Sequence, residues 1–435
     1  MKCRPAGIWA RMTSCAIRPI SPAFSPRPIL PHARACAILT GIHHSNLPPQ
    51  NTRHTMQQRH LDYVDRVNMG AYYTQADMVD IAWEMLAPHL DRKMVVLDTS
   101  CGYGNFLRHP GGFSKIGNDA DPVAVRTAKK NLPEAVFYNV NALRNVSREQ
   151  YGIGARAGLC IVGNPPYNDR TSLIRNRVKS FNVQIDEDIQ TRDLGMSFLL
   201  SYQKLSADVI CILHPLSYLI KRANFSLLRR FARQYRLLDA KIISSAAFGD
   251  ASKTMQFPIV IALYKKSGEG MDYQMIRNFS FDVRGAHPFR LSDFDYISNY
   301  VRKYPAKNSG APKNPLLFWT MRDINALRRN QTFVNRSSKN TIAIDPGKLE
   351  YYMYVDVFKR FARHVPYYFG NCDVLINHAL FKKNRRHFIL ASVSANPALR
   401  GLIPKIDELE ARHLHSSQQK IGEYFRRLLG PHYVA

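Results

Sequence analysis

From Asp62 to about Gly270 the sequence alternates short apolar runs with amphipathic segments, the pattern of strands that alternate with helices. Such alternation predicts an α/β fold, in which a mostly parallel sheet is covered by helices on both faces. Ligands of such sheets bind at the carboxyl ends of the strands, so residues just after each strand are candidate site residues. The predicted strands are Met94–Leu97, Ile116–Gly117, Val136–Tyr138, Leu159–Val162, Val209–Leu213, Leu237–Ile243 and Pro258–Tyr264. The predicted helices are Pro122 to about Asn131, Leu194–Leu205 and Ala223–Tyr235.

A glycine-containing turn follows the first predicted strand. Asp98 ends that strand, and Cys101, Gly102 and Gly104 lie in the turn. Glycines let the backbone approach a ligand closely and adopt conformations closed to other residues. The carboxylate of Asp98, just before these glycines, can form an ion pair with an ammonium group of a ligand. A glycine turn after a strand is also common in proteins without such a site, so this feature alone has low specificity.

An acidic residue also follows the second predicted strand. In nucleotide-binding sheets, an acid about twenty residues after the glycine turn accepts hydrogen bonds from ribose hydroxyls. Asp119 occupies that place. The alternative is a helix-capping acid, but Asp121 suits that role better because Pro122 follows it at the first helical position. Asp119 is therefore the candidate ribose ligand.

The most specific motif is Asn164-Pro165-Pro166-Tyr167, directly after the fourth predicted strand. The two prolines fix the backbone and remove two N–H donors. The acceptors that remain are the Asn164 side-chain oxygen and the Pro165 carbonyl, which together can bind both hydrogens of an amine and turn its lone pair towards an electrophile. Tyr167 adds a ring face on which a planar base can stack. The plain structural alternative is a proline-rich turn beside a surface tyrosine.

Taken in chain order, four segments resemble the gamma-class adenine-N6 DNA methyltransferases, which are typically the modification half of restriction-modification systems. These segments are Gly70–Thr74, Asp98–Gly104, Asp119 and Asn164–Tyr167. The resemblance covers roughly residues 62–270. It implies a Rossmann-like seven-stranded domain whose last strand is antiparallel and which binds S-adenosylmethionine.

The resemblance also implies roles for single residues. The implied cofactor ligands are Tyr73, Thr74, Asp98, Cys101, Gly102, Gly104, Asp119 and Asn141. Among these, Tyr73 and Thr74 would touch the methionine part of the cofactor. Asn141 stands where the family usually has an aspartate against the cofactor adenine, and its oxygen can still accept that bond. A second base-stacking aromatic is expected near the last strand, where Tyr264 is the first choice and Phe257 the second. The alternative for Tyr264 is a core aromatic.

A mechanism follows from these residues. An adenine inside a duplex cannot present its amine to the cofactor, so it must be rotated out of the stack. The catalytic set is then Asn164, Pro165, Pro166 and Tyr167. Asn164 and Pro165 would orient the amine for direct displacement, and Tyr167 and Tyr264 would stack the base. Such a reaction needs no metal.

The charge of the chain favours an acidic polymer as its partner, with double-stranded DNA first. The chain has 61 Lys and Arg against 33 Asp and Glu, a formal net charge of +28. Residues 271–435 contain 26 basic and 13 acidic residues, and basic and aromatic side chains interleave there. We therefore expect a C-terminal target-recognition domain over 271–435, and a separately acting restriction endonuclease as a second partner. The alternative is a basic domain with an unrelated role.

The first 55 residues differ in composition from the rest. They are rich in Pro, Ala, Ser and Arg and contain no acid, a composition that predicts disorder. Either translation begins at Met56, which we favour, or the segment targets an organelle. The expected domains are thus 1–55, a catalytic domain over 56–270, and 271–435.

The apolar runs and the cysteines of the sequence predict a cytoplasmic protein, which DNA binding would associate with the nucleoid. No apolar run is long enough for a transmembrane helix, so no membrane partner is expected. The seven cysteines are scattered without a CxxC pair, which implies neither a zinc site nor a disulfide framework. A reducing compartment fits this usage.

Three other functions share parts of this pattern. Protein-glutamine methyltransferases also carry Asn-Pro-Pro-Tyr, but they lack a segment like Tyr72-Tyr73-Thr74 and a long basic tail. A ribosomal RNA base methyltransferase is harder to separate from a DNA enzyme by sequence. A DNA-binding protein with an inactive methyltransferase domain would not need the intact Asn164–Tyr167 motif.

Overall fold

The computed structural model describes residues 74–167, 184–248, 256–305, 315–403 and 406–435. The expected extension over 1–55 and the segment with Tyr73 lie outside these residues.

An eight-stranded sheet forms the centre of the fold. Its strands are β1 (Val95–Asp98), β2 (Ser114–Asn118), β3 (Val136–Tyr138), β4 (Leu159–Gly163), β5 (Val209–Pro215), β6 (Tyr235–Ser244), β7 (Pro258–Lys266) and β8 (Asp282–Val283). Their order is β3-β2-β1-β4-β5-β7-β6-β8. All neighbours are parallel except β7, which is antiparallel to both β5 and β6. The seven predicted strands are present, and the eighth comes from beyond Gly270.

The central strands are buried on both faces. Neighbouring residues of β4 pack into different cores, Ile161 into one and Val162 into the other. Successive side chains of a strand point to opposite faces of a sheet, so each core lies on its own side. This explains why the strands read as unbroken apolar runs. On one side Trp83 packs from a helix, and on the other side Phe198 does.

Eleven helices surround this sheet and continue beyond it in the part of the chain that the structure describes. They are α1 (Ala76–Leu86), α2 (Pro122–Asn131), α3 (Leu194–Lys204), α4 (Ser217–Ile220), α5 (Arg222–Leu227), α6 (Arg229–Ala232), α7 (Tyr273–Asn278), α8 (Ile324–Arg329), α9 (Leu349–Phe361), α10 (His378–Ala395) and α11 (Ile406–Leu429).

Helix α2 begins as predicted. The Asp121 side chain accepts a hydrogen bond from the Val123 N–H at 2.8 Å, and Pro122 occupies the first helical position. The helix predicted over Ala223–Tyr235 is instead the two short helices α5 and α6. Ser226 Oγ donates to the Arg222 carbonyl at 2.8 Å, a contact that often bends helices. Tyr235 already belongs to β6, where it pairs with β7.

The hydrophobic core continues across Gly270, the boundary expected between the two domains. Residues before and after it, such as Tyr218 and Tyr354, belong to one buried cluster. Polar contacts also cross the boundary; for example, Tyr273 Oη donates to the Ile220 carbonyl at 2.7 Å, and Lys221 pairs with Asp323. The residues before and after Gly270 therefore pack around one shared hydrophobic core.

The C-terminal part contains two small antiparallel sheets beside its helices. Their strands are β9 (Asp295–Tyr296), β10 (Leu317–Trp319), β11 (Phe333–Val334), β12 (Thr341–Ala343) and β13 (Leu375–Ile376). One sheet has the order β11-β10-β12, and the other pairs β13 with β9. No helix among the described residues combines the length and the apolarity needed to cross a bilayer.

The interleaved basic and aromatic residues of this part separate by burial. The aromatics Phe358, Phe369 and Phe388 are fully buried. The cations of α10 between them, Lys383 and Arg386, are exposed. These aromatic side chains thus form part of the core, and the exposed basic side chains between them are available to a partner.

Candidate active site

The loops that follow β1, β2, β3 and β4 meet at one edge of the sheet, since these four strands are parallel. Asn118, at the end of β2, is fully buried and ties three of them together. Its Nδ2 donates to the carbonyls of Thr99 at 3.0 Å and Val140 at 3.1 Å, and its Oδ1 accepts from the Val140 N–H at 3.0 Å. Sequence reasoning missed Asn118, because one asparagine at the end of an apolar run carries no distinguishing pattern.

The glycine turn is closed by Asp119. The Gly102 N–H donates to Asp119 Oδ2 at 2.8 Å, while Asp119 Oδ1 accepts from the Asp121 N–H at 2.9 Å. Gly102 and Gly104 have φ angles of 52° and 85°, in the left-handed region that favours glycine. A Cβ on Gly104 would also lie 2.8 Å from Leu132 Cδ1. The turn is therefore a backbone cradle that only glycine permits, and Asp119 holds it.

Cys101 lies inside this turn but is not a nucleophile. Its side chain is buried, and burial, with the charges of Asp98 and Asp119, raises the pKa of the thiol well above its usual value. The neutral thiol contributes a small apolar wall to the site.

Asp98 is a buried carboxyl group with one unused oxygen. It is 1% exposed, and its Oδ1 accepts from the Ser100 N–H at 3.1 Å. Its Oδ2 has no hydrogen-bond partner among the described residues. Burial raises the pKa of Asp98 to about 8; the Ser100 N–H opposes this shift and the charge of Asp119 adds to it. The group is therefore mostly protonated at neutral pH, and a nearby cation would stabilise its ionised form.

Asp98 also touches the strand that leads to the Asn-Pro-Pro-Tyr motif. A Cβ on Gly163 would lie 2.6 Å from Asp98 Oδ1, so only glycine fits directly before Asn164. This close approach brings the ends of β1 and β4 together.

Asn164 holds an unpaired acceptor at this edge. Its Nδ2 donates to Thr74 Oγ1 at 3.1 Å, which fixes the amide plane. Its Oδ1 is buried and has no partner among the described residues. An acceptor left in this state costs about 1–3 kcal/mol, which an incoming N–H donor would remove. Pro165 beside it is buried and Pro166 half-buried.

Thr74 connects the motif to the glycine turn. It is 5% exposed, and besides its contact with Asn164 its carbonyl accepts from Asn105 Nδ2 at 3.5 Å. Asn105 directly follows Gly104. The structure thus brings Thr74, the glycine turn and Asn164 together.

Tyr167 is half-buried and lies against the start of α3. A Cβ on Gly195 would lie 2.9 Å from Tyr167 Cβ and 2.6 Å from Tyr218 Oη. The Tyr218 hydroxyl donates to Asp193. Burial first, then the charge of Asp193, raises the pKa of Tyr218 well above its usual value, so the phenol stays protonated. The surroundings of Tyr167 thus include Asp193 and Tyr218. Neither residue was in the site predicted from the sequence.

Asn141 follows β3, and its amide is held locally. Its Oδ1 accepts from the Leu143 N–H at 3.0 Å, and its Nδ2 donates to the Gln184 carbonyl at 2.7 Å. One lone pair of the oxygen is left for a ligand.

The choice of Tyr264 as a base-stacking aromatic is wrong. Its side chain is 1% exposed, and its ring packs edge-on against Phe231 with centroids 5.1 Å apart. Its hydroxyl bonds to His214 Nε2 at 2.7 Å. Burial lowers the pKa of His214 to about 4, so this imidazole is neutral. Its Nδ1 lies 3.0 Å from the Pro215 carbonyl and must carry the hydrogen, which leaves Nε2 to accept from Tyr264.

The direction of β7 explains this error. The strand is antiparallel, so its first residues and not its last lie at the carboxyl edge of the sheet. Tyr264 is in register with Ile210, near the start of β5, whereas Ile259 is in register with Pro215. Phe257, the second choice, precedes β7, is half-buried, and exchanges hydrogen bonds with Ser245 at the end of β6. Phe257 thus lies at the carboxyl edge of the sheet, and Tyr264 does not.

Comparisons with known proteins give likenesses to solved structures. No family model matches the chain, and no curated protein matches it either. One similar structure is described as the modification subunit of a type I restriction enzyme from Vibrio vulnificus, with 18% identity and a TM-score of 0.35; the match covers 46% of this chain and 45% of that subunit. The chain therefore spans less than half of that subunit.

Two further solved structures are also similar to part of the chain. One, described as an RNA methyltransferase from Pyrococcus horikoshii, has 16% identity and a TM-score of 0.31, over 46% of this chain and 89% of its own. The other, described as a class I S-adenosylmethionine-dependent methyltransferase from Listeria monocytogenes, has 12% identity and a TM-score of 0.31, over 49% of this chain and 64% of its own. The motifs of the sequence implied a last strand that is antiparallel, and β7 is antiparallel to both β5 and β6.

Proposed function

We propose that this protein transfers a methyl group from S-adenosylmethionine to the exocyclic amine of an adenine that has been rotated out of double-stranded DNA. The observation that carries the proposal is the buried, unpaired Oδ1 of Asn164 at the end of β4, held in place by the bond from its Nδ2 to Thr74. An acceptor fixed in this way, followed by two prolines, fits the hydrogens of an amine.

The residues after β1 and β2 fit S-adenosylmethionine. Asp98 Oδ2 is a buried acceptor without a partner among the described residues, which suits the cofactor's ammonium group. The left-handed φ angles of Gly102 and Gly104 shape the turn that follows β1, and the Asp119 carboxylate beside it is an acceptor of the kind that binds ribose hydroxyls. Thr74 and Asn141 border the same edge, while Tyr73 lies outside the described residues. When bound, the cofactor supplies an electrophilic methyl group on sulfur.

The protein's own part in the reaction is positioning. Asn164 Oδ1 and the Pro165 carbonyl accept the two amine hydrogens and turn the nitrogen lone pair towards the methyl group. Tyr167, with Phe257 nearby, offers a ring to the flipped base and offsets part of the few kcal/mol that unstacking costs. Orientation of this kind supplies a large share of the rate acceleration in such a displacement.

The choice of DNA rests on charge and on the motif order. The net charge of +28 and the exposed cations of α10 suit a polyanion. The order of the segments favours a modification enzyme, paired with a separate endonuclease. The direct test incubates duplex DNA with the protein and tritiated S-adenosylmethionine. Label that enters DNA supports the proposal, and label that enters only RNA or protein overturns it.

Tyr167→Ala should lower kcat/KM for methyl transfer to duplex DNA by roughly one to two orders of magnitude, because a base loses about 1–3 kcal/mol of stacking with its aromatic partner. Tyr167→Phe keeps the ring face and should stay close to wild type. Steady-state transfer assays on both variants measure the difference. Equal losses in the two variants would assign the effect to the hydroxyl and contradict a stacking role.

Cofactor binding near pH 7 should release about one proton, because Asp98 is mostly neutral in the free protein and would be ionised beside an ammonium group. The sign follows from the pKa, which is raised in the free protein and lowered in the complex, so binding through Asp98 strengthens as pH rises towards about 8. Calorimetry in two buffers with different ionisation enthalpies counts the proton. Asp98→Asn should release none; release that persists in this variant would show that the proton comes from another group.

A further inference from the structure

A cavity of about 1170 Å³ lies at the end of β8. Residues 282–288, 365–368 and 431–434 form most of its wall. Because β8 is parallel to β6, Arg284 after it lies at the carboxyl edge of the sheet. Arg284 Nη1 is 2.5 Å from Asp77 Oδ2, and Asp77 comes three residues after Thr74, the partner of Asn164. Helix α1 therefore connects the two regions, because Asp77 in its first turn contacts Arg284 of the cavity and Thr74 just before it contacts Asn164.

The charged side chains that line this cavity are mainly cationic. The cations are Lys241, Arg284, Arg328 and Arg363, and the carboxylate in the lining is Asp282, which is 3.6 Å from Lys241. Two histidines also line the cavity, and the rings of His287 and His432 have centroids 6.3 Å apart. Burial and the proximity of His287 lower the pKa of His432, which favours its neutral form. A concave wall in which cations outnumber carboxylates attracts anions.

Arg328 also lines the cavity, and among the described residues no carboxylate forms an ion pair with its guanidinium. Its Nη2 donates to the carbonyls of Val365, at 2.6 Å, and Ala362. Its Nε is buried and has no partner among the described residues. No carboxylate pairs with it in the same described part of the chain, and burial lowers its pKa. A half-buried guanidinium held only by carbonyls is stabilised by an anion close by.

We propose that this cavity binds a phosphate group of the DNA backbone beside the target adenine. Arginine forks suit phosphate oxygens, and Arg284 lies at the same carboxyl edge of the sheet as Asn164. The inference adds a binding site to the proposed function and rests on that function only for the choice of DNA as the polymer. Phosphate contacts position a protein on DNA and do not read its sequence, so the site would serve any duplex.

The test measures binding of the full-length protein to a short duplex of random sequence across a salt series. In the double variant Arg284→Gln with Arg363→Gln, the slope of log affinity against log salt should fall by about 0.9 for each phosphate that is no longer neutralised. Lys241→Gln is an independent variant with the same expected direction. The matched control is Arg236→Gln. Arg236 is 45% exposed and paired with Glu269, as Arg284 is 49% exposed and paired with Asp77, but it lies at the opposite end of β6. Its slope should equal that of wild type.

Several outcomes would overturn the proposal. Equal slopes in the cavity variants and in wild type would show that the cavity takes no backbone phosphate. Loss of pyrophosphate binding in these variants, with an unchanged DNA slope, would assign the cavity to a small phosphate ligand instead. Thermal unfolding of each variant identifies a loss of fold. No methyl transfer occurs in these measurements, so a failure of the proposed activity would appear in the transfer assay and leave the salt slopes as they are.

Discussion

Replacing Asn164 by alanine should abolish methyl transfer while cofactor affinity stays largely unchanged. The variant lacks the fixed side-chain acceptor for the amine, and the amine then rotates freely in the site. Misplacement of a reacting group by about 1 Å can cost 100-fold in rate, so a loss of at least about 100-fold is expected. Cofactor affinity should persist because Asn164 is not among the residues proposed to bind the cofactor, and Thr74 stays in place when its hydrogen bond from Asn164 Nδ2 is lost. Tritium transfer and calorimetry measure the two quantities on the same preparation.

Two further variants make this experiment specific. Asn278→Ala removes an exposed asparagine that lies outside the site and whose side chain accepts a hydrogen bond from Gln274 at 3.3 Å; its activity should equal wild type. Asn164→Asp keeps an acceptor oxygen and loses the donor to Thr74, so its rate should fall between wild type and Asn164→Ala. Substantial turnover by Asn164→Ala would remove Asn164 from the mechanism.

The second large effect is expected at Asp119. Asp119→Ala should raise the cofactor dissociation constant tenfold or more, since hydrogen bonds to a charged acceptor contribute about 1.5–3 kcal/mol. The structure adds a second cause, because the same carboxylate holds the Gly102 N–H and so shapes the glycine turn. Calorimetry with S-adenosylmethionine measures the change directly.

Asp121, two residues further, is the matched control. Its carboxylate caps α2 through Val123, and Asp121→Ala should cost about 1 kcal/mol of stability with little change in cofactor affinity. If Asp121→Ala weakens cofactor binding as much as Asp119→Ala does, the ribose contact lies at Asp121 or the effect is one of loop stability. Asp119→Asn helps to separate the two, because it keeps the shape of the side chain and loses the charge.

The strands could be predicted from the sequence because both of their faces are buried. A buried parallel strand such as β4 is an unbroken apolar run, and the polar residue that ends it marks the functional edge. Asp98, Asp119 and Asn164 could be located in this way, since each directly follows or ends such a run. The cap at Asp121 was predictable because its chemistry is local.

Contacts between distant parts of the chain were not predictable. Tyr264 reads as a plausible base-stacking aromatic until the antiparallel direction of β7 sets its register against Ile210. His214 and Asn118 are single polar residues in apolar surroundings, and only the fold shows which partners satisfy them. The order of the family segments did not indicate that Tyr218 and Asp193 would stand beside Tyr167.

The region after Gly270 was hard to interpret for a different reason. Strand β8 has two residues and α7 has six, too few to show a periodic pattern. Aromatic residues between cations suggested a surface for nucleic acid, yet Phe358 and Phe388 fill the core because burial of large apolar rings dominates their placement. We therefore expect DNA to contact the exposed cations of α10 and the cavity lined by Arg284.

Nucleoside analysis of the methylated product tests the central claim most directly. Duplex DNA and RNA are incubated separately with the full-length protein and S-adenosylmethionine, digested to nucleosides and analysed by mass spectrometry, with the Asn164→Ala protein in parallel. We predict N6-methyladenine in the DNA treated with wild-type protein and none in the DNA treated with the variant. A methyl group found on another base, on RNA alone, or in equal amount with Asn164→Ala would contradict the account.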